Sequence, residues 1–198
     1  MNTDKTSDSE SPKFKQIIDT ATELFIRFGV RRVTVEEICQ TAKISKMTFY
    51  KYFGNKIDLA EYIIFKILDE AQLEFDNIFN QSNSFADKIN QFLKMKMGYA
   101  QRFSKEFFLD FLNLSPKIHN KILKYTEQNQ LEFINLIEQA QRNSEVRKDI
   151  SIKFITFMQN HIFELIEDKR LFALYNNLEE LTIDMVNFYF YGIMGKKQ

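Results

Sequence analysis

The chain has 198 residues, 44% hydrophobic and 27% charged, with 27 Lys and Arg against 27 Asp and Glu. That is an ordinary globular balance with ample material for a core, and a total charge of zero is silent on nucleic acid. One cysteine, Cys39, excludes a disulfide framework, and five Gly with two Pro are too few for a strand-and-turn architecture.

Residues 1–12, MNTDKTSDSESP, are polar and read as a disordered tail without the apolar core of a signal peptide. With the lone cysteine, a reducing cytoplasm is the expected location. The first helix is expected over Pro12–Phe28. Ser11 caps it, Pro12 takes the first position, and Phe14, Ile17, Ile18, Ala21, Leu24, Phe25 and Phe28 make one apolar face. Gly29 stops it. Thr34 and Glu37 form a capping box for a short second helix, Val35 to about Thr41. A turn near residues 42–44 leads to Ser45, which caps a third helix holding Lys46 to Tyr52. Asn55 opens a long fourth helix, about Lys56 to Phe79, with Asp58 in its first turn. Two short helices joined by so tight a turn have helix-turn-helix proportions.

Further helices are expected near 84–101, 104–113, 116–143, 151–168 and 178–194, with Ser84, Ser115, Ser151 and Asn177 as caps. No apolar run is long enough to span a bilayer. The fold class is therefore all-α. The domain division is a tail (1–12), a helix-turn-helix domain (13–56) and a larger helical domain (57–198).

Charge is unevenly spread. Lys13 to Lys56 holds nine Lys/Arg against four Asp/Glu, whereas Ile57 to Gln198 holds seventeen against twenty. Different partners are expected for the two parts. Within the basic part, residues 43–56 read KISKMTFYKYFGNK. On a helix capped by Ser45, Phe49 and Phe53 share a face and anchor it inward, with Ile38 and Ile44 completing a small core. Lys46, Met47, Thr48, Tyr50, Lys51 and Tyr52 are left outward. Lysine supplies charge for phosphates, tyrosine a rigid ring with a hydroxyl, and Met47 and Thr48 can meet base edges. Lys56 adds a cation where a helix start attracts phosphate. One such Lys or Tyr alone would be a solvated or packing residue. The assembly reads as a DNA-facing surface.

Residues 13–60 resemble the DNA-binding domain of the TetR family of bacterial transcription regulators. Ala21, Leu24, Phe25 and Gly29 carry the likeness, then TVEEICQTAKIS at 34–45, T-x-Y-x-Y-F at 48–53, and Asn55, Lys56 and Leu59. The resemblance implies that Thr34, Ser45, Lys46, Met47, Thr48, Tyr50, Tyr52 and Lys56 lie where the family contacts double-stranded operator DNA. Two positions depart from the pattern. Lys43 stands where the family usually has a turn Gly, which suits a left-handed backbone. Met47 stands where the residue is often small. Cys39, where the family usually has Ala, reads as a small buried apolar residue.

Sixteen of the 21 Phe lie beyond residue 56. Phe103, Phe107 and Phe111 form a stripe, and such stripes are core by default. The resemblance implies a ligand cavity in this half. Phe92, Tyr99, Phe103, Phe107, Phe111 and His161 are its candidate lining, suited to an apolar or aromatic effector. The last two helices are apolar nearly all round, as expected of helices with core on one side and a partner on the other. The resemblance implies that they pair two subunits in a homodimer. Phe154, Met158, Leu165, Val186, Tyr189 and Phe190 are the candidate interface. His119 and His161 are isolated, no metal-ligand spacing or phosphate loop occurs, and no catalytic residue, cofactor or metal is expected. The function expected is an effector-released repressor. The rivals are an apolar-ligand or assembly protein with a lapsed DNA-binding domain, and a helical metal enzyme.

Overall fold

A computed structural model describes residues 11–194; the expected tail, residues 1–10 of it, and residues 195–198 lie outside that range. Among the described residues there are ten helices and no strand beyond an isolated bridge between Val146 and Met194. The helices are α1 (Pro12–Phe28), α2 (Val35–Thr41), α3 (Lys46–Tyr52), α4 (Lys56–Phe79) and α5 (Phe85–Arg102). They continue with α6 (Lys105–Asn113), α7 (Pro116–Arg142), α8 (Ile152–Glu167), α9 (Lys169–Phe172) and α10 (Leu178–Ile193). The expected bounds agree to within a residue or two, and α9 is the element that periodicity did not mark. No described helix is long and apolar enough to cross a membrane.

The caps explain the sharp starts. Ser11 Oγ accepts the Phe14 N–H at 3.1 Å, Thr34 Oγ1 that of Glu37 at 3.1 Å, and Ser45 Oγ that of Thr48 at 3.1 Å. Asn55 Oδ1 accepts from both Ile57 and Asp58, and Ser84, Ser151 and Asn177 repeat the pattern. Each hydroxyl or amide satisfies a donor that the first helical turn leaves unpaired.

The chain forms two compact units. The first takes in the described residues up to Glu70 together with Phe103–Ile122. It therefore holds α1, α2, α3, the first part of α4, all of α6 and the start of α7. This division differs from a boundary at 56/57, because α6 packs on α1 despite lying some eighty residues away. Its core is Ile17, Ala21, Phe25, Val30, Val33, Ile38, Phe49, Leu59 and Phe107, all sealed from solvent. Each such Val, Leu, Ile or Phe side chain contributes about 1.5–3 kcal/mol through burial.

The second unit comprises Ala71–Arg102 and the chain from Leu123 onward. Phe75 and Phe79 stack at 4.1 Å, and Phe92 meets both edge-on. Phe133, Ile137, Ile155, Tyr189, Phe190 and Ile193 complete that core. Buried Lys88 donates to the Phe79 carbonyl at 2.7 Å, satisfying an acceptor at the end of α4. Gln72 and Asn129 exchange two amide hydrogen bonds, at 2.7 and 3.1 Å, between α4 and α7.

Candidate nucleic-acid interface

Helix α3 is short because its anchors are at its centre and end. Phe49 is fully buried and Phe53 nearly so. Phe53 leaves helical geometry (φ −131°, ψ 130°) and stacks on Phe14 at 5.5 Å. The turn before α3 depends on Lys43, whose φ is +50°. A lysine thus adopts the left-handed conformation that glycine takes without strain.

With the anchors inward, the other face projects. Met47 is 83% exposed and Tyr50 54% exposed. Lys51 is exposed and Thr48 partly so. Thr34 and Ser45 are also exposed, although each spends its oxygen on a cap, and Ser45 Oγ lies 2.9 Å from Thr48 Oγ1. Lys46 donates to Glu36 in the first turn of α2. That hydrogen bond raises the lysine above its ordinary value and lowers the Glu36 carboxyl. Glu36 therefore competes with any phosphate for the Lys46 ammonium.

Two expected contacts are turned inward. The Tyr52 hydroxyl lies 2.8 Å from Ser11 Oγ, and its ring meets Phe14 edge-on at 5.5 Å. Tyr52 is therefore part of the seam between α1 and α3. Lys56 directs its ammonium to the carbonyls of Val30 (2.7 Å), Arg31 (3.1 Å) and Val33 (2.7 Å). Burial holds that ammonium below the usual lysine value, and the Asp110 carboxylate partly offsets the shift. The expectation of an outward cation at Lys56 is not met, because three carbonyls converge there.

Asp110 escaped the sequence reading. It is 6% exposed, and its carboxylate accepts the Arg31 backbone N–H at 2.9 Å and forms an ion pair with Arg31 Nε at 3.1 Å. The available signal was a lone acid in the otherwise apolar run Phe107–Leu112.

The expected effector residues divide between the units. Phe103, Phe107 and Phe111 belong to the first, where Phe107 is sealed core in contact with the other two. Phe92, Tyr99 and His161 belong to the second. Phe92 and Tyr99 pack against the aromatic core there, and His161 Nδ1 lies 2.9 Å from the Phe157 carbonyl. Tyr99 also lines an open groove of about 630 Å³ whose walls include Glu74, Gln91, Met95 and Arg102.

The expected interface needs a correction of register. Phe154 and Leu165 are exposed, while Met158 and Val186 are half-buried against the core. Tyr189 and Phe190 are buried in their own chain, and the Tyr189 hydroxyl donates to the Ile155 carbonyl at 3.1 Å. The outward residues of α10 are Phe188 and Tyr191, 78% and 71% exposed, with Phe157 on α8.

Two short capped helices, a tight turn and an outward basic and aromatic face define a helix-turn-helix DNA-binding domain on an all-helical chain. Residues 17–63 match the family described as bacterial regulatory proteins, tetR family. The chain is 22% identical over 122 residues to an uncharacterized HTH-type transcriptional regulator of Bacillus subtilis, YhgD, spanning 61% of this chain and 64% of that one. It is 22% identical over 149 residues to the HTH-type transcriptional regulator SrpR of Pseudomonas putida, spanning 75% and 68%. A candidate transcriptional regulator from Saccharomonospora viridis, solved in complex with choline, superposes with a TM-score of 0.68. Its 13% identity, over 92% of this chain and 97% of that one, makes this a likeness of fold. Residues 17–63 are thus a DNA-binding domain of the tetR-family type.

Proposed function

We propose that the protein is a cytoplasmic homodimer that binds a near-palindromic operator and is released by a small molecule. The observation that carries this reading is the outward tip of α3. Met47, Tyr50 and Lys51 are held in solvent by the buried Phe49 and Phe53. An exposed methionine beside exposed tyrosine and lysine is costly to leave in water and well suited to base edges flanked by phosphates. Thr34, Ser45, Lys46 and Thr48 extend the same face, and Lys46 reaches phosphate by leaving Glu36.

The exposed Phe154, Phe157, Leu165, Phe188 and Tyr191 supply an apolar surface for a second copy. A two-fold dimer presents its two α3 helices about 34 Å apart, one turn of DNA. Occupancy of an operator that overlaps a promoter excludes polymerase, so the proposed sign is repression. The proposed functional division assigns 13–56 to DNA and 57–198 to effector and dimer contacts. The neighbour bound to choline supports a small-molecule site on this fold, while Tyr99 on the wall of the open groove, with Phe92 packed against the adjoining core, favours an apolar or aromatic effector. The effector acts by preferring a conformation whose α3 spacing no longer matches the groove. Linkage then requires operator DNA to weaken effector binding by the same factor.

The test is binding of the purified protein to DNA from its own upstream region across a salt series, beside a Lys46→Ala, Tyr50→Phe variant. Saturable binding against excess nonspecific DNA, two subunits per site and a shallower salt slope in the variant are expected. Sequence-indifferent binding that the variant leaves unchanged, both here and on DNA selected from a random pool, would overturn the reading.

A further inference from the structure

The loop between α1 and α2 is gripped from two directions by residues distant in sequence. From the start of α4, Lys56 Nζ donates to the carbonyls of Val30, Arg31 and Val33 at 2.7, 3.1 and 2.7 Å. An ammonium has three N–H donors, so these bonds fill its capacity. From α6, Asp110 accepts the Arg31 N–H at 2.9 Å and pairs with Arg31 Nε at 3.1 Å. The approach of α6 depends on Gly29. A Cβ there would stand 3.0 Å from both Asp110 Oδ2 and Glu106 Cβ. Between these grips Val30 and Val33 are fully buried, so the loop is pinned by its side chains as well as its backbone.

We propose that Lys56 and Asp110 are positioning residues that latch the 29–33 loop, setting where Thr34 starts α2 and hence how α3 presents its outward face. Lys56 on this assignment spends its charge on backbone carbonyls and makes no phosphate contact. The functional consequence rests on the DNA-binding reading above. Loss of either grip leaves carbonyl or N–H groups unpaired and lowers the population of the DNA-competent loop. Apparent operator affinity falls by that fraction.

A phosphate contact would behave differently in two respects. Neutralising a phosphate-bound lysine flattens the slope of log K against log salt by about 0.9 per lysine. Arginine substitutes well at a phosphate, but its planar fork does not reproduce a three-carbonyl cradle built for a tetrahedral ammonium.

The experiment uses the full-length parent, Lys56→Met, Lys56→Arg and Asp110→Asn. Each is titrated with an operator that the parent selects from random-sequence DNA, across a salt series. Amide exchange of residues 29–34 is followed without DNA. All three variants are expected to bind operator roughly tenfold more weakly. Their salt slopes stay parallel to the parent's, and amides 29–34 exchange faster while the fold persists. If Asp110→Asn fails to fold, the two Lys56 variants carry the test. A flattened slope in Lys56→Met with parental binding in Lys56→Arg would make Lys56 a phosphate contact and overturn the assignment. Unchanged exchange at 29–34 would overturn the latch whatever happens on DNA. If the parent selects no operator, the DNA-binding reading fails, and the exchange measurement alone decides the latch.

Discussion

Gly29→Ala concentrates several of these constraints in one methyl group. Gly29 has φ 81° and ψ 154°, a region open to essentially glycine alone. Forcing alanine into it costs about 1–3 kcal/mol. The added Cβ also lies 3.0 Å from Asp110 Oδ2, 3.0 Å from Glu106 Cβ and 3.3 Å from the Glu106 carbonyl carbon. Two of those atoms belong to the helix itself or its first side-chain carbon, so α6 must shift, at about 1–3 kcal/mol for overpacking. Alanine stiffens the unfolded chain and returns about 0.4–1 kcal/mol. The net expectation is a loss of roughly 3 kcal/mol. Urea unfolding followed by circular dichroism is the assay, with a lower midpoint at unchanged m-value as the signature. A loss below about 0.5 kcal/mol would show that neither the backbone strain nor the close approach of α6 is real.

At Lys43, where φ is +50°, replacement by glycine removes left-handed strain and is expected to raise stability by about 0.5–1 kcal/mol, read as a higher melting temperature. A lower melting temperature would refute that reading of the turn. Ser11→Ala removes the α1 cap and the partner of Tyr52 together, and is expected to cost about 1 kcal/mol. Tyr52→Phe in the Ser11→Ala background should then add little, and full additivity in denaturant melts would contradict the shared hydrogen bond. Burial pushes the Cys39 thiol above its ordinary value, with Glu36 adding to the shift. A raised thiol value means that the protonated form favours the fold, a contribution present below the ordinary thiol range and lost as pH rises above it. Folded protein should therefore react with a disulfide reagent at neutral pH far more slowly than urea-unfolded protein. Equal rates would place Cys39 at the surface.

The caps were legible from residue order because a capping oxygen reaches a donor only three residues ahead. Ser11, Thr34, Ser45, Ser84, Ser151 and Asn177 each did so. The inward placing of Phe49 and Phe53 followed from their spacing of four on one short helix. Spacing could not say which stripe of α10 faces the core when both are apolar. Periodicity alone admits Tyr189 and Phe190 as outward, whereas packing buries them and leaves Phe188 and Tyr191 exposed. Tyr52 and Lys56 were read as free polar groups because their partners, Ser11, Val30, Arg31 and Val33, lie 23 to 41 residues away.

Local order therefore determined the helices, their starts, the tight turn and the outward tip of α3, since these depend on interactions within a turn or two of helix. Tertiary packing alone decided which cations and phenols stay on the outward face. It brought Asp110 to Arg31 and turned Lys56 onto three carbonyls. The physical reason is that a buried polar group takes whatever partner the fold brings within about 3 Å, and no local periodicity records that partner.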